Sequence, residues 1–147
     1  MLHVAILIND LDKSLLSTIV RKFTRSVATH VELVFSDGTA TIVTPKWIEL
    51  AKRPDKYDMY HWVMIPLPDI TPMQESLIRA RAKEIYDKNP KYDYLGAISG
   101  FFGSSRQNKN KWYCGELVVE LLSPYIPELN KLDWAIPEDI WRILTID

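Results

Sequence analysis

Residues 29–44 read THVELVFSDGTATIVT. Thr29 to Phe35 is rich in β-branched and aromatic side chains, Ser36-Asp37-Gly38 is a tight-turn signal, and Thr39 to Thr44 is a second β-rich run. Together they predict an antiparallel hairpin. Side chains two apart on a strand share a face. His30, Glu32 and Val34 therefore point one way, and Val31, Leu33 and Phe35 the other. The sequence on either side follows a consistent plan. Residues 3–8 (HVAILI) predict a buried strand, and the spacing of Leu15, Leu16, Ile19, Val20, Phe23 and Val27 predicts a helix over 11–27, with Asp10 or Asp12 at its start.

Beyond the hairpin, Pro45 to Leu50 leads into a polar segment, 52–58, that reads as a loop, and 59–66 (MYHWVMIP) predicts another strand. Thr71-Pro72-Met73-Gln74 combines an N-cap, a first-turn proline and a capping-box glutamine, so a helix starts there and buries Leu77, Ile78, Ala82 and Ile85. Asn89-Pro90 stops it. A short helix over 92–102, a polar and basic loop over 103–111, and an apolar helix over 112–122 follow. The tail, with Trp134, Ile136, Pro137 and Trp141, is expected to pack. Grouped strands followed by grouped helices predict an α+β fold, an antiparallel sheet packed against helices. The 147 residues carry no repeat or linker, so 1–147 reads as a single domain.

Composition narrows the function classes. Hydrophobic residues are 47% and charged residues 25%, which excludes a disordered or fibrous chain. Eighteen basic against 19 acidic residues leave a net charge of -1, which disfavours a general nucleic-acid binder. The first apolar run, Val4 to Ile8, has no basic residues ahead of it and is too short for a signal peptide or a span of ~20 residues. The expectation is a soluble cytoplasmic protein with no transmembrane segment.

The one cysteine, Cys114, supports neither an internal disulfide nor a cysteine-based metal site, and no histidine spacing suggests a metal ligand set. Neither metal nor cofactor is expected. A buried thiol is often only a small core side chain. Here it stands at the start of an apolar helix, where the unpaired N–H groups favour thiolate, and Arg106, Lys109 and Lys111 precede it. A thiol nucleophile needs an imidazole in reach and a third group to hold that imidazole. Of His3, His30 and His61, only His30 has a carboxylate on its own strand face, Glu32. From the residues alone, a core thiol and a half-exposed polar strand face remain open beside that reading.

The Thr-His-Val-Glu-Leu strand, the later Lys-Tyr-Asp-Tyr-Leu-Gly segment, the Trp-Tyr-Cys-Gly-Glu-Leu-Val helix and the closing Ile-Pro-Glu-Asp occur in an order that resembles the circularly permuted papain-like hydrolases. These are permuted relatives of NlpC-type enzymes, with YiiX-like and YaeF-like bacterial members and lecithin:retinol acyltransferase as a distant one. In that group the histidine strand precedes the cysteine helix, as here. The resemblance implies a permuted papain-like fold, with Cys114 as nucleophile, His30 as general base and then acid, and Glu32 as the orienting group. It also implies an oxyanion site at the Cys114 amide, with Tyr92, Tyr94 or Tyr113 lining it. Where the family carries Ser, this chain carries Gly115, and the Glu-Leu-Val that follows is kept. The implied chemistry is acyl transfer through a thioester on a peptide-like, peptidoglycan-like or lipid-like substrate, by a hydrolase or an acyltransferase.

Two other classes compete. One is an inactive binding or interaction protein on the same fold, since five tryptophans and seven tyrosines supply contact residues. The other uses the basic loop Arg106 to Lys111, beside Phe101, Phe102 and Trp112, against nucleic acid or as a peripheral membrane contact; the simpler reading of that loop is a solvated one.

Overall fold

A computed structural model describes residues 1–8, 27–54, 57–99, 110–133 and 135–146. The expected helix over 11–27 lies outside the described residues except for Val27, as do Phe101, Phe102, Arg106, Lys109 and Trp134.

The architecture is α+β. Five strands, β1 (His3–Leu7), β2 (His30–Val34), β3 (Thr39–Val43), β4 (Ile48–Lys52) and β5 (Trp62–Pro66), form one antiparallel sheet in the order β4-β3-β2-β1-β5. Helix α1 (Pro72–Asp87) follows, then a short strand β6 (Lys91–Tyr92), helix α2 (Tyr94–Ser99), strand β7 (Lys111–Trp112), helix α3 (Cys114–Leu122), a 3-10 turn (Pro127–Lys131) and helix α4 (Pro137–Thr145). Strands β6 and β7 pair in parallel as a separate two-stranded ribbon.

The hairpin β2–β3 forms as its sequence predicts, with Gly38 in the left-handed conformation its turn requires. Its turn is tied to α1. The Ser36 amide and hydroxyl both donate to Glu75, and Arg79 donates to Asp37 and Thr39. The capping box of α1 is present in both directions between Thr71 and Gln74. Leu77, expected on the buried face, is exposed, while Ile78, Ala82 and Ile85 are buried.

Four elements differ in extent from the sequence expectations. Strand β4 occupies a segment read as a lead-in to a loop, because an edge strand is only half covered and its Glu49 and Lys52 dilute the apolar signal. Strand β5 begins at Trp62, since Asp58 accepts the amides of Tyr60 and His61 and makes a turn there. Helices α2 and α3 start later than the apolar spacing suggests, because Tyr92 and Trp112 are taken by the ribbon.

Both faces of the sheet are covered. Leu2, Val4, Ile6, Val31, Leu33, Phe35 and Ile65 face the helices, whose Ile78, Leu117, Val118, Leu121 and Ile140 complete the main core. On the other face Ala5, Val34, Ala40 and Ile42 pack under Trp47, Tyr57 and Trp62. The β2–β3 pairing narrows to Val34 opposite Ala40. Successive β2 amides on that side find different acceptors: Phe35 donates to the Thr39 carbonyl, and Leu33 to the Thr41 hydroxyl at 3.0 Å. The next, Val31, donates to the sulfur of Cys114. The two strands thus part toward His30, and the N-terminus of α3, which packs chiefly on β2, meets the strand at that opening.

Candidate active site

Helix α3 begins at Cys114 itself, with Tyr113 extended as its N-cap residue. The thiol is therefore in the first turn, where it receives N–H groups from Gly115 and Val31 and faces His30 by charge and hydrogen bond. Burial pushes the Cys114 pKa up; the charge and hydrogen bond of His30, with the two amides, outweigh it and bring the thiol below its ordinary value. Burial likewise pulls His30 down, but Cys114 and then Glu32 outweigh it and raise the imidazole well above its usual range. Both directions describe one thing, a buried pair in which each group favours the charged form of the other.

His30 Nε2 donates to Glu32 Oε1 at 2.9 Å. That leaves Nδ1 as the atom that can serve the thiol. Strand parity puts His30 and Glu32 on one face, and the register places small Ala5 opposite Glu32 on β1, leaving room for the carboxylate and what it gathers. Glu32 is 0% exposed. Such burial raises a carboxyl pKa, but hydrogen bonds and charge from His30 and Arg53 lower it to about 2. Arg53 donates from Nε to both carboxylate oxygens at 2.9 Å and from Nη2 to Oε1. The Tyr57 hydroxyl donates to Oε2 at 2.6 Å.

Arg53 and Tyr57 fall in the polar segment read as a loop, and no spacing rule links them to Glu32. Aromatic rings hold them in place. The Arg53 guanidinium lies 5.7 Å from the Trp47 ring and 5.2 Å from the Trp62 ring. Trp62 also meets Tyr57 and His30 edge-on, at 5.0 and 6.2 Å.

Of the three expected tyrosines, Tyr92 lies in the electrostatic range of Cys114; burial, then that charge, raises its pKa, so it stays a neutral donor. Tyr94 is exposed and stacks edge-on against Tyr92 at 5.0 Å. Tyr113 is buried, and its hydroxyl accepts the Ala135 amide at 3.1 Å, which ties the closing segment to the site. The same segment explains Gly115. A Cβ there would stand 1.7 Å from the Ala135 carbonyl oxygen, so any side chain at this position is sterically excluded.

The other two histidines lie elsewhere: His3 bonds the Met1 carbonyl and His61 bonds Asp58 at 2.7 Å. Lys111 is exposed in β7. Among the described residues no group of three or more His, Cys, Asp or Glu is placed to hold a metal ion, and no helix is long and apolar enough to cross a membrane. No family model, curated protein or solved structure matches the chain.

Proposed function

We propose that the protein is a thiol hydrolase or acyltransferase that uses a Cys114–His30–Glu32 triad on an amide or ester substrate, on a permuted papain-like fold. The observation that carries this reading is the meeting of a first-turn thiol with a histidine whose far nitrogen is held by a buried, ionised carboxylate. A core thiol needs none of these partners. The order of the motifs, histidine strand before cysteine helix, supports the permuted assignment.

The Cys114 thiolate attacks the acyl carbonyl carbon, a C–S bond forms, and the π electrons move to oxygen. The Cys114 amide and the Tyr92 hydroxyl are the donors for that oxyanion. On collapse the bond to the leaving nitrogen or oxygen breaks, and His30 gives its proton to the leaving group. Neutral His30 then takes a proton from water or another acceptor as it adds to the thioester. The C–S bond breaks and the thiolate–imidazolium pair is restored. Glu32 keeps the imidazole in one tautomer and stabilises its charge.

The rival reading, an inactive binding protein of the same fold, draws on the burial of Cys114, which is 8% exposed. Profiling with acyl electrophiles of peptide, peptidoglycan-stem and lipid type separates the two. The wild type is expected to form a covalent adduct with at least one probe at Cys114, and Cys114→Ala and His30→Ala with none. Equal labelling of wild type and Cys114→Ala would remove the enzyme reading.

A further inference from the structure

We propose that Arg53 is a positioning residue of this site that balances the charge of Glu32, so that Cys114 and His30 share one proton on an electrically neutral background. The inference deepens the triad reading and rests on it.

The geometry gives Glu32 three sets of donors, and only one belongs to a triad. Arg53 engages both carboxylate oxygens, Tyr57 bonds one of them, and His30 bonds the other. Glu32 and Arg53 together carry no net charge. The thiol–imidazole and thiolate–imidazolium forms of the neighbouring pair are then both neutral overall, so a buried site can pass between them without an uncompensated charge. Were Glu32 left alone, its charge in a 0% exposed position would hold His30 protonated and make it a reluctant proton donor to a leaving group. The guanidinium is placed for this task. It is 18% exposed at the side chain and is flanked by Trp47 and Trp62, the second of which also meets His30. It acts through Glu32 and has no contact with the thiol among the bonds described.

Among the described residues, three tyrosines facing the cluster keep their charge in the working range. Tyr57 and Tyr86 face Glu32 and Tyr92 faces Cys114, and burial raises all three, so they stay neutral. Asp93, Tyr94 and Tyr113 act on Tyr92, and Glu116 lies in the first turn of α3. These are the same in every variant below, so differences between variants report on Arg53.

The test follows the titration of the His30 ring nitrogens by 15N NMR, with the pH midpoint of Cys114 alkylation by iodoacetamide read in parallel. Neither readout needs turnover. Removing a positive charge raises the pKa of both groups. Arg53→Met is expected to move both midpoints up by about 1 pH unit or more. Arg53→Lys keeps the charge and is expected to leave them near the wild-type values. Glu32→Gln with Arg53→Met removes both charges and is expected to bring the alkylation midpoint back toward wild type. If Arg53→Met does not fold, Arg53→Gln, which keeps donors to the carboxylate, carries the same expectation. Unmoved midpoints in the folded charge-removing variant, or equal shifts in all three, would overturn the proposal. Failure of the triad reading looks different: no acyl probe reacts at Cys114 of the wild type, whatever the Arg53 variants do to the His30 titration.

Discussion

Glu32 stays ionised in a place where a carboxylate on its own would be neutral, and that has a stability consequence. Its pKa falls from an ordinary 4.5 to about 2 on folding. A depressed folded value means the contribution is complete above 4.5 and is lost as the pH falls toward 2, and it amounts to about 3 kcal/mol. Carbon NMR of the Glu32 carboxyl is expected to give a midpoint near the lower value in the folded protein; a midpoint at or above 4.5 would contradict the ion-pair geometry. Gly115 is a second decisive residue. Gly115→Ala forces a methyl group against the Ala135 carbonyl, and a backbone oxygen cannot swing aside. The variant is expected to lose on the order of 3 kcal/mol in urea unfolding, and a loss below ~0.5 kcal/mol would mean that the closing segment yields freely. The period-two alternation of β2 made the His30–Glu32 pairing legible in the sequence. Arg53 and Tyr57 were not legible, because they reach Glu32 from 21 and 25 residues away along a segment with no regular spacing. The Gly115 requirement was hidden for a related reason: it depends on a carbonyl from the far end of the chain.

At the scale of elements, sequence signals worked where they were local. Thr71-Pro72-Met73-Gln74 carries its own hydrogen bonds, so the start of α1 could be read directly. The late start of α3 could not, since Trp112 belongs to a ribbon whose other strand is 20 positions away by register, Tyr92. The parting of β2 from β3 is also a tertiary feature. There Thr41, 1% exposed, supplies the acceptor for the Leu33 amide that a strand backbone would otherwise supply. Thr41→Val is nearly the same size and removes that acceptor. It is expected to cost about 1 to 3 kcal/mol and to speed hydrogen exchange at the Leu33 amide more than at Phe35, whose partner is a backbone carbonyl. Uniform exchange at the two amides in the variant would show that the hydroxyl is not what holds the strand.

At the scale of the molecule, the α+β class and the antiparallel sheet follow from grouping strands before helices, and the sheet forms that way. What grouping does not convey is strand order, which puts β2 at the centre, sets β1 between β2 and β5, and covers the second face with Trp47 and with residues after β4. That cover carries Arg53, Tyr57 and Trp62, so the topology missing from the sequence reading and the site residues missing from it have one cause. The whole arrangement predicts a thiol that is ionised below its ordinary pKa of 9.0. At pH 6 folded protein is expected to react with a small disulfide reagent at least about tenfold faster than the urea-unfolded chain. Slower reaction when folded would mark Cys114 as a plain core side chain.

The parallel ribbon of Lys91–Tyr92 with Lys111–Trp112 closes two segments against each other, one ending at Tyr92 and the other leading through Tyr113 into Cys114. The five-stranded sheet takes no part in that closure. The ribbon is in this sense a clasp that ties the exit of α1 to the entry of α3 independently of the scaffold. A change at that clasp is felt at Tyr92 and Cys114 before it reaches the strand that carries His30 and Glu32.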